Sequence, residues 1–315
     1  MARVAATNAS CDAETIEIRT ADGHALRADV REPDTANAAG VAILAHAMFA
    51  RRTEFERPKG RSLVDLFAER GYRTIAFDFR GHGDSGPGAA QGGDWSYDDL
   101  VRSDLPAVAA CARARWEKLP LVVAGHSFGG QIALASQGTG ALDADALVVI
   151  GANVWMRSLE RSRARWLMKR AVVKTAHALC QKRGYFPARA LGLGSDDASS
   201  RIMASIERCM REGRWTSDDG KVDYGALLAS IRVPVATVSS RGDPLLCHPH
   251  CARAMVARVS GPRLSENLAR SDDGSPPPGH TSLVTSDRVR DVYRRVLAWL
   301  DSQPGRLAKS NILLI

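Results

Sequence analysis

The sequence predicts an α/β fold in which a mostly parallel sheet carries helices on both faces and a helical segment is inserted between two strands. Short apolar runs, such as 41–45 and 121–124, alternate with segments of helical periodicity, which is typical of parallel sheets. These runs are apolar at every position, which indicates strands that are buried on both faces. The alternation stops after Asn153 and returns at Val233, so the chain between them is predicted to leave the sheet.

The first element is predicted to be an antiparallel hairpin at one edge of the sheet. Polar and apolar residues alternate over 15–19, Asp22 and Gly23 supply a turn, and the chain returns over 25–30. The strands that follow are predicted at 41–45, 74–79, 121–124, 146–150, 233–239 and 263–269. Helices are predicted at 62–70, 96–116, 128–136 and 286–300, the second opening with a capping-box pattern at Ser96 and Asp99.

The segment 154–230 interrupts this pattern because it is helical in periodicity and rich in basic residues. Gly and Ser break it at 191–200 and 213–220. We therefore predict one core domain, formed by 1–153 and 231–315, with 154–230 inserted into it. A chain of 315 residues is long enough for one such domain with an insertion.

Composition is ordinary for a globular protein, with 45% apolar residues, but the net charge of +8 is unevenly distributed. The basic residues are concentrated between 157 and 189. A basic segment can attract nucleic acid, anionic lipid or an anionic substrate, but a solvated helical face is the favoured interpretation. Glu160 is the one acidic residue between 157 and 189. The basic residues there are Arg157, Arg161, Arg163, Arg165, Lys169, Arg170, Lys174, Lys182, Arg183 and Arg189.

Targeting and compartment are predicted from what the chain contains at its start and from its cysteines. Residues 1–20 lack the apolar stretch of a signal peptide, and no run of about 18 apolar residues indicates a membrane span. The six cysteines are scattered, which favours free thiols over a disulfide framework. A cytoplasmic location is therefore expected.

A candidate nucleophile stands in the pentapeptide G-H-S-F-G at 125–129, which has the pattern G-x-S-x-G. It follows the apolar run 121–124 and precedes an Ala-rich helix, the strand–turn–helix setting that exposes a serine nucleophile. The tight turn strains the serine backbone, and the flanking glycines lack the Cβ atoms that would clash there. We therefore predict Ser127 as the nucleophile, against the alternative of a Gly-rich turn with a capping serine.

A serine needs a general base, and in this arrangement the acid and then the histidine follow it in the chain. Asp243 follows the predicted strand 233–239, and catalytic groups gather at the carboxyl ends of parallel strands. His280 lies on a Pro- and Gly-rich loop before the last helix, which suits a base held over the site. The rivals with poorer placement are Asp218, Asp219, Asp223, His177, His248 and His250.

Two backbone N–H groups are expected to stabilise the negative charge that develops on the substrate oxygen. Phe128 supplies one because it follows the nucleophile. The second is predicted in the loop after the strand 41–45, at the N–H of Met48. His46 is expected to brace this loop rather than to take part in the chemistry.

Together these residues resemble the α/β-hydrolase superfamily over nearly the whole chain. The matching pieces are H-A-M at 46–48, D-F-R-G-H-G-D-S at 78–85, G-H-S-F-G-G at 125–130, R-G-D at 241–243 and G-H at 279–280. The resemblance implies a triad of Ser127, Asp243 and His280 and a helical cap after the strand 146–150. The segment 154–230, hereafter the cap, fits that place. Ala47 is a departure, since many members have Gly there.

Two further patterns suggest a cofactor or a metal and are interpreted otherwise. The run 81–86 matches G-x-G-x-x-G after a strand, but Pro87 and Gly88 follow in place of the helix whose N-terminus would hold a phosphate. We interpret it as a structural turn near the active site. The run C-H-P-H-C at 247–251 is too compact for one metal ion to collect its four donors. Neither a cofactor nor a metal is predicted.

The resulting hypothesis is a serine hydrolase, esterase- or lipase-like, that cleaves a small-molecule carboxylic ester or thioester through an acyl-enzyme intermediate. An acyltransferase or a carbon–carbon bond hydrolase with the same triad is an open alternative, and a non-catalytic binding protein on this fold is a minor one. No nucleic-acid partner is predicted. Contact of the basic cap with an anionic membrane surface is the less favoured interpretation of its charge.

Overall fold

The structure is a computed structural model that describes residues 13–269, 274–304 and 307. Its strands are β1 (Glu14–Arg19), β2 (Ala25–Arg31), β3 (Gly40–Ala45), β4 (Tyr72–Phe77), β5 (Leu121–His126), β6 (Ala146–Ile150), β7 (Tyr185–Phe186), β8 (Ala198–Ser199), β9 (Val235–Ser240) and β10 (Arg263–Leu268). Eight of them form one sheet in the order β1-β2-β4-β3-β5-β6-β9-β10, while β7 and β8 form a separate ribbon.

Helices cover the sheet and build the segment between β6 and β9. They are α1 (Leu63–Glu69), α2 (Tyr97–Asp99), α3 (Leu105–Arg115), α4 (Phe128–Thr139), α5 (Arg163–Arg183), α6 (Ser200–Glu212), α7 (Tyr224–Leu227), α8 (Pro249–Val256), α9 (Ser282–Thr285) and α10 (Arg290–Asp301). Short 3-10 turns occupy Arg52–Glu56, Ala89–Gln91, Leu228–Ser230 and Asp287–Val289, and a π-helical stretch, Leu100–Asp104, joins α2 to α3.

The sheet confirms the predicted fold class. β1 pairs with β2, and β2 with β4, in antiparallel register, so the hairpin lies at one edge as expected. The remaining pairs are parallel, and Ile43 stands opposite both Ile75 and Val123. Parallel strands end at the same edge of a sheet, so the loops after β3, β5, β6 and β9 emerge together.

Both faces of the sheet are buried, which explains why the central strands are apolar at every position. In β3, Ile43 packs into the cluster on one face, and its neighbours Ala42 and Leu44 pack into the cluster on the other. Successive side chains of a strand point to opposite faces, so each residue of β3 meets a helix layer.

Two capping boxes set where helices begin. Ser96 and Asp99 exchange the two hydrogen bonds that the sequence predicts, and Ser62 and Asp65 form a second box at α1. The π-helical stretch was not predicted. It ends at the buried Asp104, whose carboxylate accepts a hydrogen bond from the Arg80 amide and pairs with the Arg80 guanidinium at 2.7 Å.

The segment 154–230 leaves the sheet after β6 and rejoins it before β9. Within it α5 packs against α6, with Trp166 and Val173 of α5 in one apolar cluster with Met210 of α6. The helices agree with the prediction from periodicity, whereas the β7–β8 ribbon was not predicted. That the segment 154–230 forms a unit distinct from the core stays a prediction. None of the helices in the part of the chain that the structure describes has both the length and the apolar character needed to cross a bilayer.

Candidate active site

Ser127 occupies a strained turn between β5 and α4. Its φ of +52° and ψ of −111° lie outside the regions that L-residues favour, and it is the one described non-glycine residue with positive φ. A Cβ atom at Gly125 would lie 2.5 Å from the Gly129 carbonyl carbon, and one at Gly129 would lie 2.2 Å from the Ala45 oxygen. The turn therefore requires glycine at both places, as the sequence pattern indicates.

Asp243 and His280 form a hydrogen-bonded pair beyond the carboxyl end of β9. His280 Nδ1 lies 2.5 Å from Asp243 Oδ2. The aspartate is 3% exposed, and its two oxygens accept hydrogen bonds from the amides of Leu246 and Cys247 at 3.0 Å. Because an ionised carboxylate only accepts hydrogen bonds, Nδ1 carries the proton and Nε2 of the neutral ring is the basic nitrogen.

The three residues that the sequence selects lie at one edge of the sheet. Ser127 follows β5, and its N–H donates to the carbonyl of Ile150 at the end of the neighbouring β6, at 2.7 Å. His280 rests against Gly151, since a Cβ there would lie 3.4 Å from the His280 ring. Ser127 and His280 line the same cavity. The structure thus brings the nucleophile, base and acid of the prediction together.

The predicted oxyanion donors line that cavity as well. In the residues that the structure describes, the N–H groups of Met48 and Phe128 donate to no protein acceptor, so they are free to bind a substrate oxygen. The loop around Met48 is held from both sides. The Met48 carbonyl accepts a hydrogen bond from His82 Nε2 at 2.6 Å, and the Ala47 N–H donates to Glu54 Oε1 at 2.9 Å.

His46 braces the same loop through hydrogen bonds that a neutral imidazole ring can make. Its Nε2 accepts the Phe79 N–H at 3.0 Å, so its Nδ1 carries the proton and donates to the Ala47 carbonyl at 2.7 Å. Burial, assisted by the nearby His82, lowers the pKa of His46 to about 3, which keeps the ring neutral. These contacts agree with the bracing role predicted from the sequence.

A second histidine–carboxylate pair lies beneath the site and was missed by sequence reasoning. Both oxygens of Glu54 approach His126 Nδ1, at 3.1 and 3.2 Å, and the His126 ring stands 4.9 Å from the His280 ring between centroids. Burial raises the pKa of Glu54, but the charge and hydrogen bond of His126 outweigh it, so the pKa falls below its usual value. Glu54 therefore links the loop that carries Ala47 and Met48 to the His126 ring, which packs against His280.

The cavity above Ser127 has a volume of about 580 Å³, which suits a small organic substrate. The cap supplies most of its apolar lining: Trp155, Val172, Val173, Ala176, Phe186, Leu193, Met203, Ile206, Cys209 and Trp215. The core supplies Tyr97, Leu245 and Leu246 beside the polar groups of the site. Glu54 is the one carboxylate among the described residues that line it.

The cap is fastened to the oxyanion loop by a charged clamp. Arg51 donates from Nε and Nη2 to the two oxygens of Asp196, at 2.6 and 2.7 Å. Ser195 N–H donates to the Phe49 carbonyl at 2.7 Å, and Gly194 packs so closely on Phe49 that a Cβ would lie 2.3 Å from its oxygen. Burial raises the pKa of Asp196, but its hydrogen bond to Arg51 prevails and lowers it. The loop that carries Met48 is therefore held by the cap.

The rival residues have other contacts. Asp218 pairs with Arg208 at 2.7 Å, and Asp219 accepts a hydrogen bond from the Ser217 hydroxyl. Asp223 caps the N-terminus of α7, and His248 caps the N-terminus of α8. The other two rivals, His177 and His250, lie within α5 and α8. In the compact cysteine–histidine run, Cys251 Sγ lies 3.7 Å from Glu160. The run 81–86 is a turn, and a Cβ atom at Gly83 would lie 2.1 Å from the Asp78 carboxylate. This agrees with the interpretation of the run as a structural turn.

Comparison with known proteins places these residues in a family of hydrolases. The family model described as serine aminopeptidase, S33, matches residues 59–263. A search of curated proteins finds no match. Among solved structures, an esterase of Pyrococcus furiosus is 16% identical with a TM-score of 0.59, covering 95% of this chain and 94% of that one.

Two further esterases have the same architecture. One from Exiguobacterium antarcticum is 19% identical with a TM-score of 0.57, covering 92% of this chain and 100% of its own. The esterase domain of a Rhodothermus marinus protein is 19% identical with a TM-score of 0.57, covering 91% and 97%. At these identities the likeness supports the α/β-hydrolase fold.

Proposed function

Because this chain belongs to the hydrolase family described as serine aminopeptidase, S33, we propose that it is a serine hydrolase whose triad is Ser127, Asp243 and His280. The observation that carries the proposal is the hydrogen bond of buried Asp243 to His280, which lines an apolar cavity together with the strained Ser127. A hydrogen-bonded acid and base next to an exposed serine is the arrangement that activates a hydroxyl for acyl transfer.

The mechanism follows from these positions. Ser127 Oγ attacks the substrate carbonyl carbon while His280 Nε2 accepts its proton, and Asp243 stabilises the imidazolium that results. The N–H groups of Met48 and Phe128 stabilise the oxyanion of the tetrahedral intermediate. The leaving group departs with the proton from His280, which leaves an acyl group on Ser127. Water then repeats the sequence and releases the acid.

We propose a carboxylic ester or thioester as the substrate in preference to a peptide with a free N-terminus. An aminopeptidase must bind the α-ammonium group of its substrate, and a carboxylate is the natural partner for that charge. Glu54 is the one carboxylate among the described cavity residues, and His126 and the Ala47 amide already occupy it. The apolar lining from the cap suits an acyl chain.

The organisation of the chain fits this activity. Residues 1–153 and 231–315 would form the catalytic core, and the cap of 154–230 would close the acyl end of the cavity. We also propose a cytoplasmic location, because Cys111, Cys180, Cys209, Cys247 and Cys251 are free thiols, as expected in a reducing compartment.

The test is a substrate panel with the purified full chain. We expect turnover of p-nitrophenyl acetate, butyrate and octanoate and of an acyl thioester, and no release of p-nitroaniline from aminoacyl p-nitroanilides. Faster cleavage of the aminoacyl amides than of the esters would contradict the ester assignment. Transfer of the acyl group to an added alcohol, in place of free acid, would support the acyltransferase alternative.

A further inference from the structure

Part of the solvent-exposed face of α5 carries large apolar side chains, although the exposed face of a surface helix is normally polar. In the part of the chain that the structure describes, the exposed large apolar side chains are Leu167, Met168, Val172, Leu191, Leu193 and Leu246. Leu167 is 61% exposed although it lies in the second turn of a helix of 21 residues. The surface face of such a helix usually carries charged and polar residues, so this face calls for a partner.

Three of these side chains also line the active-site cavity. Val172, Leu193 and Leu246 line the cavity as well as being exposed, so the apolar patch continues from the surface into the site. Leu167 and Met168 lie one turn before Val172 on the same helix and extend the patch outward. An apolar surface therefore connects the exposed side of α5 with the cavity that Ser127 lines.

Positive charge flanks the patch on one edge. α5 contains seven basic residues and no acidic one. Helical spacing places Arg163, Arg170 and Lys174 on one flank of the exposed face, beside Leu167 and Ala171. Lys182 and Arg183 add charge at the C-terminal end. In the described residues none of these five side chains pairs with a carboxylate, whereas Arg165 and Lys169 are engaged by Glu160.

We propose that α5 and the loops around Leu193 and Leu246 dock the enzyme on an anionic lipid surface, from which an ester-bearing lipid enters the cavity. A helix with an apolar centre and a basic edge lies in the plane of a membrane interface, with its apolar side chains among acyl chains and its cations among headgroups. A second copy of this chain is a poorer partner, because its own α5 would bring like charge. Nucleic acid matches the charge and leaves the apolar centre without a partner.

The identity of the substrate rests on the function proposed above, whereas docking itself needs no catalysis. The test is co-sedimentation of the full chain with vesicles of phosphatidylglycerol and phosphatidylcholine, and with vesicles of phosphatidylcholine alone. We expect binding to the anionic vesicles that high salt weakens, and weak binding to the neutral ones.

Two double variants separate the apolar from the charged part of the surface. Leu167→Gln with Met168→Gln, and Arg170→Gln with Lys174→Gln, are each expected to bind anionic vesicles about ten-fold more weakly. The matched control is Lys118→Gln with Arg232→Gln, which removes two exposed charges next to the amino ends of β5 and β9, at the opposite edge of the sheet. It is expected to bind like the wild type.

Equal binding by all three variants, absence of binding to anionic vesicles, or preferred binding to a DNA duplex would overturn the proposal. Turnover of p-nitrophenyl acetate in solution distinguishes this failure from failure of the proposed function. Turnover without vesicle binding refutes docking alone. Vesicle binding without any ester turnover refutes the proposed function and leaves docking standing.

Discussion

The carboxyl edge of the sheet and the cap meet at one cavity, and they contribute to it in different ways. The sheet edge presents hydrogen-bonded polar groups with buried partners, such as Asp243 with His280 and Glu54 with His126. The cap presents apolar side chains on both its cavity side and its outer side. Under the proposed function, the sheet edge would supply the groups that move protons and stabilise charge, and the cap would supply the groups that select and admit the substrate.

The difference also concerns how each region is held in place. Backbone pairing in the parallel sheet positions the turns after β5 and β9, and the backbone around 125 and 129 packs too closely to admit a Cβ atom. The cap is instead fastened by loop contacts, of the Arg51 guanidinium with Asp196 and of the Ser195 amide with the Phe49 carbonyl, whereas Glu160 and Lys169 pair within the cap. Substitutions at the sheet edge should thus change turnover of every ester, and substitutions in the cap should change stability or selectivity.

The largest expected effect is the loss of turnover in Asp243→Asn. Asparagine presents no negative charge to the imidazolium and favours the wrong tautomer of His280, so kcat should fall about 10⁴-fold for short and long esters alike. Asp219→Asn is the matched control, because this exposed rival of the cap contacts Ser217 and Lys221 instead. A large loss of activity in Asp219→Asn, with normal activity in Asp243→Asn, would show that the acid lies in the cap and would contradict its assignment to the sheet edge.

The next effect is a loss of stability in Glu160→Gln. Glu160 is 3% exposed and contacts Arg165 and the buried Lys169, at 2.9 and 3.1 Å. Removing its charge leaves Lys169 unpaired, so the free energy of unfolding should fall by about 3 kcal/mol in urea titrations. Turnover of p-nitrophenyl acetate by the folded variant should be nearly unchanged, because the residue contacts no group of the site.

Glu160 also makes the stability of the protein depend on pH, and the direction follows from its pKa. Burial raises the pKa of Glu160, but its hydrogen bonds to Arg165, the Ser162 amide and Lys169 prevail and lower it from 4.5 to about 2. A depressed pKa means that its stabilisation is complete above about pH 4.5 and is lost as the pH falls toward 2. The wild type should therefore lose stability faster than Glu160→Gln over that range. Parallel curves for the two proteins would contradict this assignment.

A smaller effect is expected in Glu54→Gln, within the sheet edge. The amide provides a weaker partner for His126 and a weaker acceptor for the Ala47 N–H, so the oxyanion loop and the base lose precise placement. We expect kcat of the folded variant to fall about 100-fold with a smaller change in KM, in addition to the loss of stability that removing one charge of a buried pair causes. Glu56→Gln, an exposed neighbour in the same 3-10 turn, is the control. A change in stability alone would reduce Glu54 to a structural role.

The smallest effect is a change in chain-length preference in Ala176→Leu, within the cap. Ala176 is 5% exposed and lines the cavity beside Phe186 and Met203. A larger side chain shortens the space for the acyl chain, so kcat/KM for the octanoate ester should fall about ten-fold relative to the acetate ester. Equal losses for both esters would show that the cap does not set the chain length.

The sheet edge could be predicted from the sequence because its signals are local. Ser127 is flanked by the glycines and the strand that its turn requires, and Asp243 and His280 follow in the expected order. The contacts that hold the site are not local. Glu54 and His126 are 72 positions apart, and Arg51 and Asp196 are 145 positions apart, so no periodicity reveals either pair. Their contacts arise only when the sheet and the cap have packed.

The outer face of the cap shows a similar divide. The basic run around α5 was visible in the sequence and was interpreted as a solvated helical face. The exposure of Leu167 and Met168 follows from which side of α5 packs on α6, and periodicity alone does not decide this, because apolar residues occur on both sides of the helix.

The most direct test of the account is mass spectrometry of the intact protein after exposure to a fluorophosphonate, in the wild type and in Ser127→Ala. An activated serine attacks the phosphorus, displaces fluoride and keeps the phosphonyl group on its Oγ. We expect one adduct per wild-type chain, located on Ser127 by peptide mapping, and none in the folded variant. Equal labelling of both proteins, or an adduct on another residue, would contradict the claim that the turn after β5 carries the nucleophile.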